Sequence, residues 1–182
     1  MKTTLKLAGC GVVSALATVI MLVTNVPLMY YSIPLLAGIL FIIPAIEFNT
    51  KWAFGCFFVT AILSLILPTE REALIMFIFI LGYYPMLKLV IERIGKRLIE
   101  YIVKFAVFNV SVILAYAIII KVLGVNVFQN ETFGFKSTAI IVLLLGNVAF
   151  AIVDYALSLI VRMYFFKYRK IVRKMLNIKG KH

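Results

Sequence analysis

The 182-residue chain is 64% hydrophobic, with a mean hydropathy of +1.11, far above the roughly half-apolar composition of soluble domains. An ordinary globular domain is excluded, and the formal net charge of +12 has to be judged by where it falls relative to membrane spans, not as a nucleic-acid footprint. A spanning helix needs about 20 mostly apolar residues, so the length holds five or six crossings with short loops and leaves no room for a soluble domain.

The first apolar stretch predicts a helix from about Leu5 to Val26, stopped at Pro27, which lacks a backbone donor and clashes with the previous turn. Leu7-Ala8-Gly9-Cys10 has the look of a lipoprotein cleavage box, but the six residues before it hold no apolar core. No small-residue cleavage site follows the apolar run either, so a retained first helix is expected. Its small residues Ala8, Gly11, Ala15 and Thr18 recur three or four apart, on one face that lets another helix approach closely, within this chain or from a separate membrane subunit. Cys10 and Cys56 lie in apolar stretches and read as small hydrophobes, not as a disulfide or a metal pair.

The second segment, Tyr31 to Ile46, is short. Pro34 and Pro44 leave a helix of about 13 residues, near 20 Å at 1.5 Å per residue, against a hydrocarbon core of about 30 Å. It reads as a short crossing or a re-entrant arm. Glu47, Asn49 and Lys51 form a polar turn, and Trp52 to Leu67 is a third helix closed by Pro68, with Trp52 as an interfacial anchor.

Thr69-Glu70-Arg71-Glu72 has the spacing of a capping box, with Thr69 as N-cap and Glu72 three residues on. The fourth helix runs from there to about Arg93. Pro85 deprives the Leu81 carbonyl of its partner and predicts a bend near the far end. Tyr83 and Tyr84, one turn from Lys88, sit at a level where aromatic belts normally occur, with stacking on a ligand as the alternative. A basic turn, Glu92 to Arg97, leads into a fifth helix, Leu98 to Leu123. The polar loop Gly124 to Lys136 precedes a sixth, Ser137 to Met163. Eight Lys and Arg from Arg162 onward form a tail expected to face only water and lipid headgroups.

With six crossings, sixteen of the 19 Lys and Arg lie on the side of the termini, and Arg71, Lys121 and Lys136 lie opposite. By the positive-inside rule both termini are then cytoplasmic. A re-entrant second segment destroys that asymmetry. The expected fold class is therefore all-α: a polytopic six-helix transmembrane bundle over residues 1–163 with a basic cytoplasmic tail over 164–182, multi-pass in the cell membrane.

Ionisable groups at membrane depth are costly and need partners. Asp154 and Lys104 lie at matching depths in the sixth and fifth helices and can pair. Asn109 and Asn147 approach each other nearer the midplane. This polar ladder fixes helix register, or Asn109, Tyr116 and Asn147 line a ligand cavity opening outward, with Glu70, Arg71 and Glu72 as a solvated cap or a gate. No HExxH pair, GxSxG elbow, Cys/His cluster or phosphate loop is present, and His182 is the one histidine. No catalytic residue, metal or cofactor is expected.

A small-xxx-small face on the first helix (Gly11-xxx-Ala15), a proline-interrupted second segment, six crossings in about 180 residues and basic cytoplasmic ends together resemble the substrate-binding S components of energy-coupling-factor transporters. The family's first-helix pattern is usually Ala-xxx-Ala, and Gly11 takes the place of its first alanine here. The resemblance implies a small-molecule binder with an outward pocket covered by the loops around Asn25 to Ser32 and Glu70 to Glu72. It further implies that the face of Gly11 and Ala15 docks on a transmembrane coupling subunit, with cytoplasmic ATPases driving uptake. The early histidines of metal-binding members are absent, so a vitamin-like organic ligand is expected, with no nucleic-acid partner. Two rivals stand beside it: a non-transporting scaffold similar to shape-determining membrane proteins of the cell envelope, and a proton-coupled carrier using Asp154.

Overall fold

In the computed structural model, which describes residues 3–26, 29–123 and 135–175, every regular element is a helix and no strand occurs among the described residues. Helix α1 spans Thr3–Leu22 and ends in a 3₁₀ turn, Val23–Asn25. It is followed by α2 (Ser32–Leu40), α3 (Ile42–Glu47), α4 (Thr50–Ile66), α5 (Arg71–Met76) and α6 (Tyr84–Ile91). The last three are α7 (Arg97–Leu123), α8 (Phe135–Met163) and α9 (Arg169–Met175). Four continuous helical stretches are long and apolar enough to cross a membrane: Thr3–Asn25, Arg71–Ile94, Arg97–Lys121 and Leu143–Lys174. Ser32–Glu47 and Thr50–Ile66 are shorter apolar helices.

Proline chemistry explains the broken elements. Residue 44 is a proline, so the Leu40 carbonyl has no donor four residues on. The chain tightens there, with the Phe41 amide bonding the Gly38 carbonyl at 3.2 Å, and α2 gives way to α3. The same loss at Pro85 falls at the end of a π-helical segment, Phe77–Leu81, where the Gly82 amide reaches back to the Phe77 carbonyl at 2.8 Å. The bend expected near Pro85 therefore begins a turn earlier, and α2 packs into it. A Cβ on Gly38 would collide with the Leu81 carbonyl oxygen, so only glycine lets these two backbones meet.

Helix α1 docks on α4 through small polar groups, as helices in lipid commonly do. The Ser14 hydroxyl donates to the Cys56 carbonyl at 3.3 Å and the Thr60 hydroxyl to the Ser14 carbonyl at 3.4 Å. The face of α1 turned inward is Ser14, Ala17, Thr18 and Met21. Ala8, Gly11 and Ala15 are exposed on another face, so Thr18 does not share a surface with them. An aromatic core of Phe41, Phe57 and Phe77 closes the space between α2, α4 and the π segment, with ring centroids 5.4–6.3 Å apart.

Two corrections concern helix ends. The capping box is not formed: Thr69 donates to the Ser64 carbonyl at 2.6 Å, Glu70 occupies the N-cap position without a side-chain bond, and Glu72 accepts the Tyr31 hydroxyl at 2.9 Å. The tail is not wholly surrendered to solvent either. The last helix runs on past Met163 through a second π segment, Tyr164–Tyr168, into α9. There Arg169 and Arg173 grip the Glu47 carboxylate at 3.1 and 2.8 Å, with Tyr164 donating to it at 3.3 Å. A charged partner on the α3–α4 turn, with a side chain only 1% exposed, drew two of the eight cations back onto the fold. Residues 176–182 and the loop 124–134 lie outside the described residues.

Candidate functional site

Tyr84, Lys88 and Glu92 recur four apart along α6 and the 3₁₀ turn after it, so they share one face. That face meets Lys104 of α7 and Asp154 of α8. The Lys88 ammonium contacts Glu92 at 2.7 Å and Asp154 at 2.5 Å, and Lys104 contacts the same two acids at 2.8 and 3.2 Å. Cations and anions alternate around a closed ring with no net charge. Lys88 is fully buried, and burying a charge this deeply is tolerable only because each ammonium has two carboxylate partners. The Tyr84 hydroxyl adds a third bond to Asp154, at 2.6 Å to the Oδ1 that also faces Lys88.

Above this ring, away from the basic ends of the helices, lies an apolar cavity of about 330 Å³. Its walls come from α2, the π segment, α7 and α8, and include Leu35, Ile80, Val112 and Phe150. Tyr84 forms part of the lining while its hydroxyl points into the ring. Its phenol ring packs on Phe150 at 4.8 Å, and Phe150 stacks on Phe108 at 4.2 Å. At the other end sit Tyr31 and Tyr116. The Tyr31–Glu72 hydrogen bond crosses from the start of α2 to the start of α5 there, and Asn25 ties α1 to the Pro68 carbonyl at 2.8 Å beside it. The Tyr31 hydroxyl is the donor in this strap, since the Glu72 carboxylate can only accept.

Below the ring, at the basic end, a second and polar cleft of about 470 Å³ opens between α7 and α8. Asp154, Glu92 and Lys104 form its inner wall, and Arg97, Glu100 and Arg162 its rim. Glu100 is engaged locally. It accepts the Gly95 amide at 3.0 Å and so holds the turn that Gly95 makes with a left-handed φ of 75°.

Lys104 and Asp154 thus come together, and so do Asn109 and Asn147. The two asparagines exchange reciprocal amide bonds at 3.0 and 2.9 Å, and each spends its remaining donor on the carbonyl four residues earlier, Phe105 at 2.8 Å and Leu143 at 2.7 Å. Neither lines the cavity. Both NH₂ groups are fully used, and the reciprocal bonds are those of a pair that fixes helix register. Tyr116 does line the cavity. Of the three gate residues, Glu72 reaches the strap, the Glu70 backbone N–H donates to the Thr24 hydroxyl oxygen 3.3 Å away, and Arg71 is exposed.

Tyr84, Lys88 and Glu92 are what reading the sequence missed. Tyr84 does not stand in an aromatic belt: it is 4% exposed and hydrogen-bonded inward. By sequence Glu92 belongs to the basic turn Glu92 to Arg97 and Lys88 counts among the cations on the side of the termini, although their i, i+4 spacing, and that of Tyr84 four residues before, places all three on one stripe. Among the described residues no group of three or more His, Cys, Asp or Glu side chains is placed to hold a metal ion. Compared with family models, with curated proteins and with solved structures, the chain matches none.

Proposed function

We propose that this protein is a membrane-embedded binder of a small organic, vitamin-like molecule and serves as the specificity subunit of an energy-coupling-factor type uptake transporter. Six crossings with both termini cytoplasmic place the basic ends of the helices inside and the Tyr31–Glu72 strap outside. The pairing of chain ends supports that arrangement: Asn25 with Pro68 and Tyr31 with Glu72 at one end, Lys6 over Trp52 and Glu47 with Arg169 at the other.

The observation that carries the reading is the cavity. About 330 Å³ is the lower range of small-molecule sites, and an apolar, aromatic-lined space with three tyrosines at its ends suits a flat ligand carrying few polar groups. A scaffold needs no such space. The carrier reading needs Asp154 open to an incoming ion, yet its two oxygens already receive three donors. On α1, Ala8, Gly11 and Ala15 offer a small-residue face that no other part of the described chain covers, and the coupling subunit is assigned to it.

Affinity purification from native membranes tests the proposal. Recovery of a transmembrane subunit together with ATPases supports it, whereas recovery of cell-wall synthesis proteins alone replaces it with the scaffold.

A further inference from the structure

We infer that the polar cleft between α7 and α8 is a binding site for the phosphate of an anionic phospholipid, held by Arg97 and Arg162. Charge accounting carries this. Glu92 and Asp154 on the inner wall are spent on Lys88 and Lys104, so the ring contributes no net charge to the cleft. Glu100 accepts the neutral Gly95 amide and keeps its charge, so with Arg97 and Arg162 the rim carries one net positive charge. Arg97 and Arg162 face the same cleft, and among the described residues neither is in an ion pair. Two guanidiniums on one rim present forks of N–H donors, the geometry that phosphate oxygens accept. Ser158, also in the lining, spends its hydroxyl proton on the Asp154 carbonyl, which leaves the phosphate to the two arginines.

The source of the phosphate follows from what borders the cleft. Tyr101 on α7 and Tyr155 on α8 line the cleft and are 57% and 68% exposed, and Leu98, Ile102 and Ile152 beside them along the two helices are 76%, 61% and 65% exposed. In the membrane placement proposed above they face acyl chains. A lipid lying along them would bring its headgroup phosphate to the rim, at the level where basic pockets between helices recognise anionic lipid. The inference rests on that placement and on nothing about the ligand of the apolar cavity, so it survives if the transporter reading fails.

The test compares thermal unfolding of the purified full chain in nanodiscs of phosphatidylcholine with and without phosphatidylglycerol. Phosphatidylglycerol is expected to raise the midpoint, and most of that rise is expected to vanish in Arg97→Gln/Arg162→Gln. A Lys170→Gln/Lys174→Gln control, which removes two exposed α9 charges, is expected to keep it. An equal rise in the Arg97→Gln/Arg162→Gln protein, or no rise in the unaltered one, overturns the inference. So does an equal rise from inorganic phosphate in phosphatidylcholine nanodiscs, which would make the cleft a site for soluble phosphate.

Discussion

Tyr84 touches both halves of the molecule: its ring lines the apolar cavity while its hydroxyl donates to Asp154 at 2.6 Å. A single side chain thereby joins the space where a ligand would sit to the four-membered charge ring and the polar cleft beyond it. Tyr84→Phe keeps the ring and deletes that bond. It is expected to lower stability by about 1.5–3 kcal/mol, the scale of a buried hydrogen bond to a charged group, read as a lower unfolding midpoint in detergent.

The charge ring gives a sharper test because its members are not equivalent when removed singly or in pairs. Asp154→Asn leaves Lys88 and Lys104 sharing Glu92 alone, and the expected loss is about 3–5 kcal/mol, as for other broken buried pairs. Lys88→Met in the same protein removes the stranded charge and is expected to restore a substantial part of the loss. A double-mutant cycle on midpoints measures the coupling; simple additivity would contradict the ring.

Gly38→Ala is expected to destabilise by about 1–3 kcal/mol, since the new methyl meets the Leu81 carbonyl, a backbone atom fixed by the π segment and Pro85. Gly11→Ala meets nothing within 4 Å and is expected to leave the midpoint unchanged. Gly11→Leu should likewise fold, yet lose whatever membrane subunit co-purifies with the unaltered protein. Midpoint and co-purification together separate a packing role of Gly11 within the chain from the proposed docking of a partner on that face.

The Glu47 carboxylate holds α9 through Arg169 and Arg173. Glu47→Gln is expected to free the helix and raise the rate of tryptic cutting after those two arginines about tenfold, the equivalent of about 1.4 kcal/mol of local stability. Glu70→Gln, at the opposite end of the molecule, is the matched control and should not change it.

Much of this architecture was legible because lipid imposes a simple code. Long apolar runs, prolines at 34, 44, 68 and 85 and the clustering of cations at one end announced the helices and their breaks. Depth along antiparallel helices was enough to pair Asn109 with Asn147 and Lys104 with Asp154. Facing direction was harder. Whether Thr18 turns in or out, or whether Tyr84 meets lipid or Asp154, depends on rotation about an axis that depth does not fix in so uniformly apolar a chain. The ring escaped because Lys88 and Glu92 lie near a loop, where charges are usually solvated. The Glu47 clasp escaped because its arginines lie more than a hundred residues away, in what composition alone makes a tail.

The cavity is the centre of the account, and filling it is the most direct test. Val112 lines it from α7 and is half-buried, so Val112→Phe occupies the space without adding a charge. Native mass spectrometry of the protein purified from its own membranes should detect a bound small organic molecule on the unaltered chain and none on Val112→Phe, with both equally folded. A folded protein that carries no such molecule in either form, or the same one in both, would contradict it.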